Sequence, residues 1–225
     1  MTSAAGWIEK TLDYRFRDNE RLSQALTHRS AGGRHNERLE FLGDAVLGMI
    51  IAETLFLRVP DAEEGYLTRL RANLVRRETL AEIGAEIGLG DWLRLGAGEL
   101  KSGGFRRASI LANGVEAVLG AIYLDSGLGA VRSVIERLYA DRLQSLPADT
   151  ELKDSKTRLQ EILQSRGLDL PEYATESVSG EAHKRHFEVA CRVEALGFRT
   201  TAGGRSRRQA EQRAAKAMIE RIQNG

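Results

Sequence analysis

Three carboxylates, Glu37, Glu40 and Asp44, fall within eight residues of the segment HNERLEFLGDAVL. On a helix, at about 100° per residue, they lie within roughly 60° of one another. Leu39, Leu42, Val46, Met49 and Ile50 take the other side, as a core stripe would. A second arrangement of the same kind follows in ILANGVEAVLGAIYLD. There Asn113, Glu116 and Gly120 share a face about 60° wide, and Leu111, Val115, Val118 and Ile122 oppose it. Two such helices packed face to face would make a pocket of hard oxygen donors without sulfur or imidazole. That chemistry suits Mg²⁺ or Mn²⁺ rather than zinc, and a divalent ion so held acts naturally on phosphates. Paired carboxylates also serve as acid and base in glycoside hydrolysis. Glu37 and Glu40 could equally be surface charges paired with Arg34 and Arg38. The spacing alone leaves all three readings open.

Two details set the first helix apart. Phe41 projects beside the acids, where a solvated face would carry a polar residue; ordinary core packing is its other reading. Gly43 and Gly48 each weaken a helix by about 1 kcal/mol relative to Ala, so a close neighbour is expected on both faces.

Charge is unevenly distributed along the chain. Residues 1–154 carry 20 Lys and Arg against 23 Asp and Glu, whereas residues 155–225 carry 13 against 9. An acidic first part and a basic tail suggest two domains with different tasks, and clustered acids beside a basic domain favour a polyanionic substrate. The single cysteine, Cys191, excludes an internal disulfide and a cysteine-rich zinc site and points to a reducing, cytoplasmic setting. The N-terminal residues lack the apolar core of a signal peptide. No run approaches the roughly 20 apolar residues of a membrane span, so no membrane partner is expected.

Helices are expected at Trp7–Leu12, from Asp18 or Asn19 to Leu26, and from the acidic motif to Val59, where Pro60 stops the chain. A single basic helix is expected over YLTRLRANLVRRETLAEIGAEIGL, followed by a glycine-rich loop from Leu93 to Arg107. Ser109 is the expected N-cap of the second acidic helix, and residues 128–146 form another amphipathic helix. Residues 1–146 are thus an all-α domain, and 147–154 a polar linker. Residues 155–225 read as a small α+β domain of order α-β-β-β-α, with strands in YATESVSG, HFEVACRVE and Phe198–Ala202.

HNERLEFLGDAVL resembles the signature of bacterial ribonuclease III. EGYLTRLRANLVRRETLAEIG, GELKSGGFRRASILANGVEAVLGAIYLD and a C-terminal double-stranded-RNA-binding module continue the resemblance in order, over essentially the whole chain. It implies a helical nuclease domain followed by a double-stranded-RNA-binding domain. Glu40, Asp44 and Glu116 correspond to the family's metal-binding and catalytic acids, with Asp44 and Glu116 the indispensable pair. Asn113 stands where many members carry Asp; its amide oxygen can still join a metal site but brings one less charge. Glu37 and Glu64 match further acids flanking the catalytic valley. Phe41 matches an aromatic that inserts into the partner subunit of a homodimer.

Duplex RNA is recognised by shape, phosphates and 2′-hydroxyls. Ser206, Arg207 and Arg208, at the start of the last helix, can place positive charge and backbone N–H groups on phosphates. They resemble the Ser-Lys-Lys-x-Ala-Lys pattern of such modules, except that Glu211 stands where many have Lys. Thr157, Gln160 and Glu161 match one minor-groove contact and His183 a second. The resemblance therefore implies a Mg²⁺-dependent homodimeric endonuclease of double-stranded RNA, with Mn²⁺ able to substitute. Its products would be 5′-phosphate and 3′-hydroxyl ends with two-nucleotide 3′ overhangs, in processing of ribosomal, messenger and transfer RNA precursors. The rival from another class is a non-catalytic duplex-RNA-binding protein in which Asn113 disables the metal site.

Overall fold

The computed structural model describes residues 3–181 and 185–224, and the chain falls into two compact units, residues 1–147 and 148–225. The first is helical: α1 (Ala4–Leu12), α2 (Asn19–Ala25), α3 (Glu37–Arg58), α4 (Glu64–Val75), α5 (Arg77–Glu86), α6 (Ala97–Lys101), α7 (Ala108–Leu138) and α8 (Ala140–Gln144). Asp18 caps α2 through the backbone N–H of Glu20, satisfying one of that helix's free donors. Helix α3 ends at Arg58, ahead of Pro60.

The core of this unit is α7 against α3, with α5 on its flank. Leu111, Val115, Val118 and Ile122 of α7 and Leu39, Val46, Leu47 and Ile50 of α3 are buried. Met49, expected in that stripe, is 49% exposed. The apolar face of α3 turns towards Leu47, Ile51 and Leu55 instead, because α7 covers that side. A Cβ on Gly43 would stand 1.8 Å from the Glu116 carbonyl oxygen, and one on Gly120 would stand 2.2 Å from that of Leu39. The helices therefore cross backbone to backbone, and only glycine fits at either point. Gly48, expected to meet a close neighbour, has none within 4 Å. By length and composition α7 is apolar enough to cross a membrane, which its sequence had not suggested. Here that apolar surface packs on α3 and α5, and Gly127 (φ 78°) breaks the helix in two.

Other differences from the sequence reading have local causes. The expected single basic helix is split at Arg76, whose backbone is extended (ψ 155°). The carbonyls released at the end of α4 are taken by side chains: Thr79 Oγ1 donates to Asn73 at 2.8 Å and Tyr139 Oη to Leu74 at 3.2 Å. Tyr139 is fully buried and ends the run from 128, separating α7 from α8. The glycine-rich stretch is not a plain loop, since it contains α6 and a short 3₁₀ turn at Gly104–Arg106. Helix α7 starts at Ala108 without a side-chain cap, so Ser109 lies inside it.

In the second unit, α9 (Asp149–Leu152) gives one turn of helix to the stretch expected as linker. Then follow α10 (Ser155–Ser165), strands β1 (Glu172–Ser179), β2 (His186–Val193) and β3 (Phe198–Gly204), and α11 (Arg207–Asn224). The strands form an antiparallel sheet of order β1-β2-β3. Val189, Cys191 and Val193 alternate inward from β2, and Cys191 and Val193 join the core made by Leu159 and Leu163 of α10 and Ala214, Ala215, Met218 and Ile219 of α11.

Replacing Gly43 by Ala should destabilise the first unit by about 3 kcal/mol or more, because backbone must move to admit the methyl group. Gly129→Ala, in an open helical position, should instead stabilise by about 0.5–1 kcal/mol. Urea unfolding of the two variants checks this, and equal midpoints would refute the close crossing.

Candidate functional site

The glycine crossing dictates where the acids lie. Gly43 is flanked on α3 by Glu40 and Asp44 and backs onto Glu116 of α7; one turn before it, α7 carries Asn113. Glu40, Asn113 and Glu116 are partly buried, Glu116 more deeply than Glu40, whereas Asp44 is exposed. Burial, reinforced by the negative charges of Asp44 and Glu40, pushes the Glu116 carboxyl up to about 7. Burial likewise raises Glu40, with the Glu37 charge adding to it, while a hydrogen bond with Asn113 pulls it back. These four side chains, drawn from two helices, therefore sense one another.

Glu37 stands at the rim, where it accepts from Arg29 Nη1 at 3.1 Å and lies 3.6 Å from His35 Nδ1. Its partner is thus Arg29 rather than Arg34 or Arg38. A cavity of about 370 Å³ is lined by Glu37, Glu40 and Asn113 together with His28, Glu99 and Arg107. Asp44 and Glu116 do not line it, so it adjoins the acid cluster on the Glu40 side. Glu99 was missed in the sequence because it lies in the glycine-rich segment, outside any helical period; the one available signal was an acid between two glycine pairs of that segment. Arg107 pairs with it at 2.9 Å. Glu64 sits apart from these contacts, in the first turn of α4, where it accepts from Thr68 Oγ1 at 2.7 Å.

Phe41 is 79% exposed, which excludes packing in its own chain's core. With Ala45, Met49, Ala52 and Phe56 it forms an apolar stripe about 80° wide along α3, directly beside the acids. Phe56 is also exposed.

In the second unit Thr157 and Gln160 of α10 and Arg208 of α11 line a cavity of about 610 Å³. Glu161 pairs with Lys153 at 2.8 Å. Ser206 Oγ accepts from the Gln209 N–H at 3.2 Å, and Gln209 Oε1 accepts from the Arg205 N–H at 2.8 Å, a reciprocal cap of α11. Arg207 is exposed and bonds Glu211. His183 lies outside the described residues.

Whether the acid cluster suits a divalent cation is a question of donors. Glu40, Asp44, Asn113 and Glu116 offer only hard oxygens, and a carboxyl driven up by burial and by two like charges is what a cation would relieve. Among the described residues no three His, Cys, Asp or Glu side chains are gathered closely enough to hold an ion by themselves. Mg²⁺ does not need such a cage, since it keeps several waters and takes one or two carboxylates. The donor set fits such an ion.

The raised Glu116 carboxyl has a consequence for stability. Its folded pKa, about 7, exceeds its ordinary value of 4.5, so the folded state holds the proton more tightly between those values. Stability from this group is complete below about 4.5 and is lost as pH rises through about 7. In chelator, the melting temperature of the first unit should fall between pH 5.5 and 8, and millimolar Mg²⁺ should raise it more at pH 8 than at pH 5.5. Scanning calorimetry of wild type and Glu116→Gln checks this; an identical pH slope in the variant would remove Glu116 as the cause.

Comparison with known proteins agrees with this architecture. A ribonuclease-III-like family model matches residues 18–143, and a double-stranded RNA binding motif matches residues 155–222. Ribonuclease 3 of Vibrio cholerae serotype O1 is 52% identical over 225 residues, the full length of both chains. Ribonuclease 3 of Alkalilimnicola ehrlichii is 54% identical over 217 residues, 96% of this chain and 95% of that one. The crystal structure of the nuclease domain of ribonuclease III from Campylobacter jejuni is similar with a TM-score of 0.59 at 38% identity, covering 63% of this chain and 97% of that chain. A second structure of that domain, described for flexibility in a region involved in dimer formation, gives 0.60 at 38%, covering 62% and 98%. This chain therefore belongs to the ribonuclease III family, as an endoribonuclease with a double-stranded RNA binding motif.

Proposed function

We propose that the chain hydrolyses phosphodiester bonds of duplex RNA in a Mg²⁺-dependent reaction centred on Glu40, Asp44, Asn113 and Glu116. The observation that carries this reading is the glycine crossing of α3 and α7, which brings acids from two helices into mutual range. Bound Mg²⁺, with Mn²⁺ as a substitute, would lower the pKa of a coordinated water and neutralise charge on the phosphate.

The protein's own residues then divide the task. Asp44, which is exposed, and Glu116, which is partly buried, are the indispensable pair of acids. Glu116 must be ionised to serve, which its carboxyl at about 7 permits near neutral pH. Asn113 contributes an amide oxygen and a hydrogen bond to Glu40 without a fourth charge. Glu37, with Arg29, flanks the site as a supporting acid, and the family resemblance assigns Glu64 of α4 the same role. The domains are taken as 1–146 for hydrolysis, a linker at 147–154, and 155–225 for RNA.

Contacts to the duplex come from Thr157, Gln160 and Glu161 on α10 and from Ser206, Arg207 and Arg208 at the start of α11, with His183 as a further contact. Products are short duplexes with two-nucleotide 3′ overhangs and 5′-phosphate and 3′-hydroxyl ends. The cellular role is maturation of ribosomal, messenger and transfer RNA precursors. A buried free Cys191 is in keeping with a cytoplasmic site of action.

Two copies are needed to cut both strands. The apolar stripe from Phe41 to Phe56 would be covered by the same stripe of a second copy, an isologous contact that a two-fold axis produces. Because the stripe borders the acids, such pairing brings two acid clusters to one duplex whose strands are themselves related by local two-fold axes.

Glu116→Gln should retain binding to a long RNA duplex while cleavage in Mg²⁺ falls by at least a thousandfold, on the order of 4 kcal/mol of transition-state stabilisation. Gel analysis of end-labelled duplex reads both. Wild-type binding without cleavage in Mg²⁺ would favour the non-catalytic alternative. Phe41→Ala should weaken self-association at least tenfold, about 1.4 kcal/mol, by sedimentation equilibrium. An unchanged dimer would place the interface elsewhere.

A further inference from the structure

Glu211 lies on the face of the second unit that carries the proposed RNA contacts of α10 and α11, beside Asp154 in the cavity lining, and it is not solvated. Its side chain is 12% exposed, and it bonds two cations at once, Lys156 Nζ at 2.6 Å and Arg207 Nε at 2.8 Å. Burial raises the Glu211 carboxyl, but hydrogen bonds from Lys156 and Arg207, and their charges, outweigh burial and hold it below its ordinary range. The carboxylate is therefore ionised wherever the enzyme works.

Lys156 is held on several sides. Its ammonium lies 4.3 Å from the centroid of the Tyr173 ring, and its backbone N–H donates to Gln212 Oε1 at 3.2 Å. Gln212 Nε2 in turn donates to Asp154 Oδ1, the N-cap of α10. Lys156, Tyr173 and Glu211 line the same 610 Å³ cavity as Thr157, Gln160 and Arg208. Two cations placed to meet phosphate are thus joined by one buried anion, and the triad presents a net charge of one rather than two.

We propose that Glu211 limits the affinity of this unit for duplex RNA by weakening the hold of Lys156 and Arg207 on phosphates. It is a positioning residue that acts through those two side chains and touches no RNA itself. Each cation that neutralises a phosphate releases condensed counterions and steepens the fall of affinity with salt, by roughly 0.7–0.9 in the log–log slope. Sequestering two of them keeps both affinity and salt dependence below what the cation count implies. An enzyme that must let go of cleaved duplex gains from this restraint. The inference rests on reading α10 and α11 as the RNA face.

The test uses the full-length chain and a defined RNA duplex in chelator, so that nothing is cleaved, with dissociation constants measured across a range of KCl. Glu211→Gln should bind at least threefold more tightly at low salt, with a steeper log–log slope. Equal or weaker binding with an unchanged slope would overturn the proposal. Lys156→Met should cost much more affinity in the Glu211→Gln background than in the native chain; equal losses in both would also overturn it. Should Glu211→Gln fold poorly by circular dichroism, Lys156→Met alone decides: a loss under threefold supports the proposal and a tenfold loss refutes it. Arg208→Gln separates the premises. If it leaves binding unchanged, the assignment of the RNA face fails; if it weakens binding while Glu211→Gln does not tighten it, only the role of Glu211 fails.

Discussion

The first unit depends on one steric condition, that the backbones of α3 and α7 touch. Gly43 against the Glu116 carbonyl and Gly120 against the Leu39 carbonyl leave no room for a single methyl group. Ordinary helix pairs keep their axes 8–10 Å apart because side chains intervene. Removing Cβ at two reciprocal positions lets the acids of one helix meet those of the other. The same contact explains why the flanking positions are so apolar: burial of residues such as Leu47, Ile50, Leu119 and Ile122 must more than offset the repulsion that the crossing creates.

That repulsion is where structure passes into chemistry. A carboxyl driven up to about 7 by burial and by two like neighbours is poised, near neutral pH, between holding a proton and holding a cation. Asn113 moderates the balance. A fourth carboxylate there would add charge beside Glu40, whereas the amide adds a hydrogen bond that lowers the Glu40 carboxyl. The metal-free site is therefore less strained than it would be with Asp, and the same substitution leaves less negative charge to attract a divalent ion. In the proposed reaction, Asn113 should shift the concentration of metal needed more than the chemistry done with it.

Sequence periodicity exposed a good part of this and missed the rest for definable reasons. The 3.6-residue period put Glu37, Glu40 and Asp44 on one face and Asn113, Glu116 and Gly120 on another, and the alternation Phe187, Val189, Cys191 revealed a strand. Periodicity describes one helix at a time, so it could not say that Gly43 meets Glu116 while Gly48 meets nothing, although both looked alike. It also placed Met49 in the core, because an apolar residue on a helix reads the same whether it faces its own chain or waits for another. The break at Arg76 was invisible since one of the groups that satisfies it is distant: Tyr139, far along the chain, takes the carbonyl of Leu74. Glu99 escaped because no regular element relates it to the other acids.

The two units use charge in opposite senses, and this bears on how they cooperate. A cluster of acids repels a polyanion, so the first unit cannot gather duplex RNA by its own field near the site. Cations must supply that attraction, from bound metal and from a second unit with an excess of Lys and Arg. An enzyme built so has reason to keep the attraction modest, because phosphate contacts hold product as firmly as substrate. Chemistry that consumes a long duplex and leaves shorter ones changes the number of such contacts only slightly at each binding module. Release then depends on the strength of the individual contacts. A buried carboxylate between two cations is a direct means of setting that strength, since it lowers the local charge without removing the side chains that shape the surface.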